Sequence, residues 1–223
     1  MSIFLACALY TAVAVLTIGV LWKIILYART PVPHMIAVAP VPRTRLGVLS
    51  RLVRETLFFE SLFRASKWTW LFGWIFHYAL AVVLLRHLYF VTDPIPAWLG
   101  IVFVPSDYAA WLLTASLVGL LLRRLSVSRV RYISSPSDYA MLLLLLVIGA
   151  SGLLLRYGTH VNIVAVREFT LGLLALSPKD LPQNLTLYAH IFSVVILVAV
   201  FPFSKLIHFP GYYFSPSHNQ RYQ

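Results

Sequence analysis

Five long apolar segments constrain this 223-residue chain more than any other feature. They cover residues 3–27, 68–90, 108–125, 139–157 and 185–209, and each has the length that a helix needs to cross a bilayer core of about 30 Å. Only 11% of the residues are charged, against about a quarter in a soluble domain. Because lipid cannot satisfy an open backbone, spanning segments of this length are helical. The sequence predicts an all-α integral membrane bundle of five transmembrane helices.

The net charge of +11 comes from cations that lie in the connections between the apolar segments. That distribution argues against a nucleic-acid partner, because the cations form no continuous patch. The connections on one side carry most of them: Arg29, Arg43, Arg45, Arg51, Arg54, Arg64, Lys67, Arg123, Arg124, Arg129, Arg131, Lys205 and Arg221. The positive-inside rule therefore predicts the N-terminus outside and the C-terminus in the cytoplasm.

Residues 1–210 are interpreted as a single transmembrane domain, followed by a cytoplasmic tail at 211–223. The basic loop at 28–67 begins with prolines and turns amphipathic over 46–63, which predicts a helix on the cytoplasmic interface. Docking of a partner is a second role open to that helix. Residues 161–176 predict a short helix at the outer surface, to which the sequence assigns no role.

Four of the seven histidines lie in or at the ends of the second and fifth apolar segments: His77, His87, His190 and His208. An ionisable side chain inside a membrane span is costly and marks a functional site. The first two are 87 − 77 = 10 residues apart, a rise of about 15 Å, and the last two are 208 − 190 = 18 residues apart, about 27 Å. Residues so far apart cannot bind one ion, so two sites are predicted.

The two histidine-bearing spans run in opposite directions in the predicted topology. His77 is therefore expected to face His208 on the cytoplasmic side, and His87 to face His190 on the outer side. Two imidazoles from opposing helices suit the two axial positions of a haem iron. The two rises differ by about 12 Å if both helices are straight. Helix tilt, a kink at Pro202 or a frayed helix end at His208 are the ways to absorb that difference.

Other residues near the predicted sites have weaker signals. Gly73 and Gly152 offer space beside a flat macrocycle, although ordinary helix packing also uses such residues. Arg86, Arg124 and Lys205 are candidates to pair with haem propionates or to contact a quinone, and equally to anchor the helices at the membrane surface.

The four-histidine pattern resembles that of the respiratory nitrate reductase gamma subunit family, and so does segment 201–208, FPFSKLIH. Segments 135–139, SPSDY, and 211–219, GYYFSPSHN, together with the long basic loop, look more like the DsrM branch of that family. That branch is the membrane cytochrome b of the Dsr complex linked to sulfite reductase. The resemblance covers most of the chain from about residue 68 onward.

The resemblance implies five helices in the cytoplasmic membrane of a bacterium or archaeon, two b haems and a quinone site near the outer haem. It also implies a cytoplasmic iron–sulfur partner near the inner haem, of the heterodisulfide reductase type (DsrK-like) in the Dsr branch, within a larger membrane complex. The expected function is electron exchange between menaquinone, or another quinone, and that partner subunit. The direction of electron flow, the quinone type and the haem potentials are left open.

Three other functions remain open from the sequence. Within the family, the chain would alternatively be the gamma subunit of a membrane-bound nitrate reductase. Outside it, a proton-coupled transporter would use membrane histidines as relays, but it would want carboxylates, and none lies between 70 and 90 or between 185 and 209. A purely structural membrane anchor would not need four histidines at matching depths.

Overall fold

The computed structural model describes residues 1–31 and 41–214, and the regular structure in these ranges is helical throughout. The α-helices are α1 (Ser2–Arg29), α2 (Arg45–Phe58), α3 (Glu60–Ala65), α4 (Lys67–His87), α5 (Leu99–Ser126), α6 (Ser128–Tyr132), α7 (Pro136–Leu153), α8 (Ile163–Leu174), α9 (Leu185–Val200) and α10 (His208–Phe214). The proline-rich start of the predicted basic loop and the predicted tail from residue 215 onward lie outside the described residues.

Five helices are long and apolar enough to cross a membrane, as the sequence predicts: Ser2–Arg29, Lys67–Phe90, Leu99–Ser126, Pro136–Gly158 and Leu185–Phe203. The third begins nine residues before its apolar segment (108 − 99 = 9). The polar residues in that extra length are satisfied within the protein, since the Ser106 hydroxyl donates to the Phe103 carbonyl and Asp107 pairs with Arg156. The protein is therefore a multi-pass membrane protein, and its orientation stays a prediction.

Four of the spanning helices form an open row, in which α5 packs on α4, α7 on α5, and α9 on α7. The first helix, α1, packs on the far side of α9. Small residues allow the closest approach in this row, because a Cβ at Gly119 of α5 would lie 2.6 Å from the Phe72 ring of α4. The backbones of α4 and α9, the two ends of the row, make little direct contact in the described chain. Among the five spanning helices, these two carry histidines: His77 and His87 in α4, and His190 in α9.

The fifth span ends earlier than its apolar segment, which runs to residue 209. The helix α9 stops at Val200, because Pro202 has no backbone N–H with which to continue it. Two 3₁₀ turns follow, and His208 begins the separate helix α10. The sequence estimate of a rise of about 27 Å between His190 and His208 assumed one straight helix. Because the helix breaks at Pro202, that estimate and the mismatch between the two histidine spacings no longer apply.

The amphipathic segment predicted over 46–63 forms two helices rather than one. The chain turns between α2 and α3 at Phe59, which has a left-handed backbone with φ of 50°. Side chains of α4 hold the end of α2, since Trp74 Nε1 and the Tyr78 hydroxyl both donate to the Leu57 carbonyl, at 3.1 and 2.8 Å. Trp70 Nε1 donates in the same way to the Phe58 carbonyl. The α2 helix is therefore fastened to α4.

Candidate functional site

The four membrane histidines form two pairs, each joining the second span to the chain at or beyond the fifth. The rings of His77 and His208, called here the His77 pair, have centroids 5.8 Å apart and are nearly perpendicular, at 85°. The rings of His87 and His190, called here the His87 pair, have centroids 6.5 Å apart and are nearly parallel, at 14°. Both pairs lie across the gap between α4 and the fifth span.

These separations match what two imidazoles on one iron require. An imidazole nitrogen bonds a metal at about 2.0 Å, so two rings on opposite sides of one ion have centroids about 6 Å apart. Aromatic rings in ordinary contact have centroids about 4.5–7 Å apart, so the orientation of the ring nitrogens is needed as a second criterion. The spacing of both pairs therefore fits two axial ligands of a haem iron.

The hydrogen bonds of the ring nitrogens also fit metal binding. His77 Nδ1 lies 2.7 Å from the Gly73 carbonyl oxygen, and His87 Nδ1 lies 2.7 Å from the Val83 carbonyl oxygen. A carbonyl only accepts, so each Nδ1 carries the proton and donates it. Each Nε2 then keeps the lone pair that a metal needs, with the ring orientation fixed from its own helix.

His190 is held by a different helix. Its Nδ1 lies 2.9 Å from the Ser151 hydroxyl of α7, and that hydroxyl already donates to the carbonyls of Val147 and Ile148. The Ser151 oxygen is therefore the acceptor and His190 Nδ1 the donor, which again leaves Nε2 free. Gly152 lies alongside, because a Cβ there would be 3.4 Å from His190 Cε1. The gap beside the His87 pair is thus lined by small residues of α7.

Each histidine pair stands apart from other metal-binding side chains. Within residues 1–31 and 41–214, no group of three or more His, Cys, Asp or Glu side chains is placed to hold a metal ion. A zinc or iron centre bound only by protein side chains needs three or four ligands. A haem iron needs only two, because the porphyrin supplies the other four, so the donor set fits haem.

Two phenylalanine rings contact His77. The Phe59 ring meets His77 edge to face with centroids 5.1 Å apart, and Phe76 does the same at 4.9 Å. Phe59 reaches this position from the turn between α2 and α3. The predicted interfacial helix therefore contacts one histidine pair directly.

The three predicted cations have protein partners. Arg86 donates to the Phe103 carbonyl and the Ser106 hydroxyl of α5, at 3.3 and 3.4 Å, and lies over the Phe103 ring. Arg124 and Lys205 both pair with one oxygen of Asp138, at 3.4 and 2.9 Å. Their predicted role toward haem propionates stays a prediction.

Another ion pair and a groove lie between α5 and the last turn of the fourth span, which follows α7. Arg156 and Asp107 form a bidentate ion pair, in which Arg156 Nε lies 3.0 Å from Asp107 Oδ1 and Arg156 Nη2 lies 2.8 Å from Asp107 Oδ2. Beside them is an open groove of about 260 Å³. It is lined by Val104, Asp107, Tyr108, Trp111 and Tyr157. Its walls therefore combine aromatic rings with the carboxylate of Asp107.

Similarity to known proteins shows the family of the chain. A sequence model described as the nitrate reductase gamma subunit matches residues 60–221, a stretch that contains all four membrane histidines. The chain belongs to the nitrate reductase gamma subunit family. The match confirms the family predicted from the histidine pattern.

Two relatives of this family member cover nearly its whole length. The chain is 33% identical to the "Hdr-like menaquinol oxidoreductase cytochrome b-like subunit" of Archaeoglobus fulgidus over 94% of this chain and 77% of that protein. It is 29% identical to the protein of the same name from Archaeoglobus profundus, over 94% of this chain and 76% of that protein. These names fit the DsrM-like branch that the sequence predicts.

The sequence did not single out two parts of this site. Ser151 is buried and holds His190, and its only signal is a polar residue in the middle of an apolar span. Phe59 contacts His77 from a loop, and no periodic pattern marks it. Both roles arise from contacts between distant elements.

Proposed function

We propose that this family member is the dihaem cytochrome b subunit of a membrane redox complex. It exchanges electrons between menaquinone, or another quinone, and a cytoplasmic iron–sulfur subunit of the heterodisulfide reductase type. The single observation that carries the proposal is the pair of His–His separations near 6 Å across the α4–α9 gap. The names of the two archaeal relatives favour this setting over nitrate reduction.

Haem iron, when bound at each pair, supplies a one-electron carrier. The chain's own residues do the rest. The Nδ1–H groups of His77 and His87 fix the ligand rings through carbonyls of their own helix, and Ser151 fixes His190. In the predicted orientation the His87 pair is the outer site and the His77 pair the inner one. The basic side of the bundle, next to the inner site, then meets the cytoplasmic partner.

The quinol site is proposed at the His87 end of the bundle. Arg86 precedes His87 and is held by α5, next to the Asp107–Arg156 pair and the aromatic groove. Trp111 and Tyr157, with ring centroids 5.8 Å apart, offer apolar faces to a quinol ring, and the groove is open enough to admit its tail. The Asp107 carboxylate at the groove is positioned to accept a hydrogen bond from a quinol hydroxyl.

Removal of single ligands tests the haem assignment. His87→Ala and His190→Ala should each lose about half of the haem absorbance of the wild-type protein in reduced-minus-oxidised spectra, because each removes one axial ligand of the same iron. His160→Ala is the matched control, since this exposed histidine lies near the same end of the bundle. Wild-type haem content in both ligand variants would overturn the proposal.

The partner is tested separately. Mild-detergent purification of the complex from its native host should retain a subunit with iron–sulfur clusters, identified by mass spectrometry and by iron and sulfide analysis. A molybdenum-containing subunit in its place would assign the chain to nitrate reduction instead.

A further inference from the structure

The short helix α8, which is not one of the five spans, contacts the fifth span through buried side chains. Phe169 of α8 is 1% exposed and lies in one cluster with Leu5 of α1 and Leu187 of α9. The Tyr10 hydroxyl of α1 donates to the Leu173 carbonyl at the other end of α8, at 2.7 Å. One side of α8 is therefore anchored to α1 and to α9, the helix that carries His190.

The other side of α8 is bonded to the end of the second span. Arg167 Nε donates to the Tyr89 carbonyl at 3.2 Å, and Arg167 Nη2 donates to the Thr92 carbonyl at 2.7 Å. The Thr170 hydroxyl donates to the Phe90 carbonyl between them. These carbonyls belong to the turn that directly follows His87.

These bonds satisfy groups that a helix end leaves without partners. The last carbonyls of a helix have no N–H of their own helix to accept from. A guanidinium presents its donors in a rigid planar fork, so two carbonyls bonded to it are held in one relative position. The Arg167 ion pair with Asp93 adds little, because the Asp93 side chain is 69% exposed. The carbonyl bonds are what fix α8 to α4.

The helix α8 therefore links α4 to α9 at the His87 end, where these two helices have little direct contact. We propose that Arg167 is a positioning residue for the His87 pair: through the carbonyls of Tyr89 and Thr92 it sets the position of His87 relative to His190. The inference rests on the proposed function, because it concerns an iron bound between these two rings. Arg167 touches no reacting atom and acts through the backbone of α4.

The test uses the electron paramagnetic resonance spectrum and the redox titration of the oxidised haems in Arg167→Gln and Arg167→Lys. The signals of the His87 pair are those that disappear in His87→Ala. In Arg167→Gln they should change position or width and titrate at lower potential, because the ligand geometry relaxes and a nearby positive charge is lost. The signals of the His77 pair should keep their wild-type position. Lys179→Gln, which removes another cation of the same connection, is the control and should leave both spectra unchanged.

The lysine variant separates charge from position. A lysine keeps the charge but not the planar fork, so Arg167→Lys should restore most of the potential while the altered line shape persists. Wild-type line shapes in both variants, or full restoration of the line shape by lysine, would overturn the inference and leave Arg167 as a membrane-surface anchor. An equal change at both histidine pairs would also overturn it. Absence of haem from the wild-type protein would instead refute the proposed function.

Discussion

At the scale of single residues, two buried serines differ in the hydrogen bonds that their hydroxyl groups make. Ser116 of α5 is 2% exposed, and its hydroxyl donates to the Leu113 carbonyl of its own helix. Ser151 of α7 is 7% exposed and makes similar bonds to its own helix, but it also accepts from His190. Ser151 is therefore the residue that fixes which nitrogen of His190 is free.

The variant Ser151→Ala should weaken haem binding at the His87 pair. Without its acceptor the His190 ring loses both its fixed tautomer and its orientation, and loss of such a partner typically lowers metal affinity by roughly 10- to 100-fold. Haem retention during detergent dialysis, followed by absorbance, measures the effect. Ser116→Ala removes an equally buried hydroxyl and should leave retention at the wild-type level. Equal retention in both variants would remove Ser151 from the site.

A second prediction at this scale concerns the groove between α5 and the end of the fourth span. Trp111→Ala should lower the rate of haem reduction by a menaquinol analogue, because it removes one wall of the proposed quinol site. The reduced-minus-oxidised spectrum should stay that of the wild type, since Trp111 contacts no histidine of either pair in the described contacts. The control variant is Trp22→Ala, because Trp22 is exposed and lies on α1, which in the described chain packs on α9 and not on α5. An unchanged rate in Trp111→Ala would place the quinol elsewhere.

The sequence identified the four histidines but not the residues that hold them in position. Four ionisable side chains at fixed spacings on two apolar segments predict two sites, because the cost of burying them demands a function. The supporting residues carry no such signal. An arginine in a connection, such as Arg167, has the same local sequence character whether it meets water or two backbone carbonyls, and only the tertiary packing decides which.

At the scale of elements, the break in the fifth span packs closely against α1. Pro202 is buried against Gly19, where a Cβ would lie 2.6 Å from the proline Cβ. A proline ring cannot rotate aside, so the added methyl must move the 3₁₀ turn itself. That turn leads directly to α10 and His208.

The variant Gly19→Ala should therefore disturb the His77 pair. Overpacking of this kind costs about 1–3 kcal/mol of folding free energy. The expected result is a broadened or shifted spectrum of the inner haem, with that of the outer haem retained, measured by redox-titrated absorption. Gly100→Ala is the control, because a Cβ there meets nothing within 4 Å. Equal spectra in the two glycine variants would contradict the role given to α1.

The amphipathic helix shows how far sequence reasoning reaches at this scale. Its apolar face and its place between two spans are visible in the sequence, and both predicted roles, membrane contact and partner docking, stay open. Its break at Phe59 is not visible, because a left-handed residue other than glycine carries no reliable sequence signal. Nor are the bonds from Trp74 and Tyr78, which depend on α2 folding back along α4. The break at Pro202, in contrast, was one of the alternatives that the proline itself suggested.

At the scale of the whole molecule, the gap between α4 and the fifth span is bridged at both ends by helices that do not cross the membrane. At the His87 end the bridge is α8, as described above. At the His77 end it is α2, which is fastened to α4 by Trp74 and Tyr78 and reaches α10 through Thr56. The Thr56 hydroxyl donates to the Leu52 carbonyl, so it accepts from the Tyr213 hydroxyl, at 2.7 Å. Each histidine pair thus has its own connecting helix, α8 for the His87 pair and α2 for the His77 pair.

Because the two connecting helices are separate, a substitution in one of them should change the haem signals of only one histidine pair. Thr56→Val removes the acceptor for Tyr213 and should shift only the haem signals of the His77 pair, whereas Arg167→Gln should shift only those of the His87 pair. Sites more than about 7–10 Å apart without shared partners behave additively, and the two histidines of α4 are separated by about 15 Å of helix. The double variant should therefore show the sum of the two single shifts in one redox titration. Thr17→Val, a spanning-helix threonine whose hydroxyl bonds its own backbone, is the control for the threonine change. A shift of both pairs by either single variant would mean that the row of four helices moves as one body, and that the pairs share a single support.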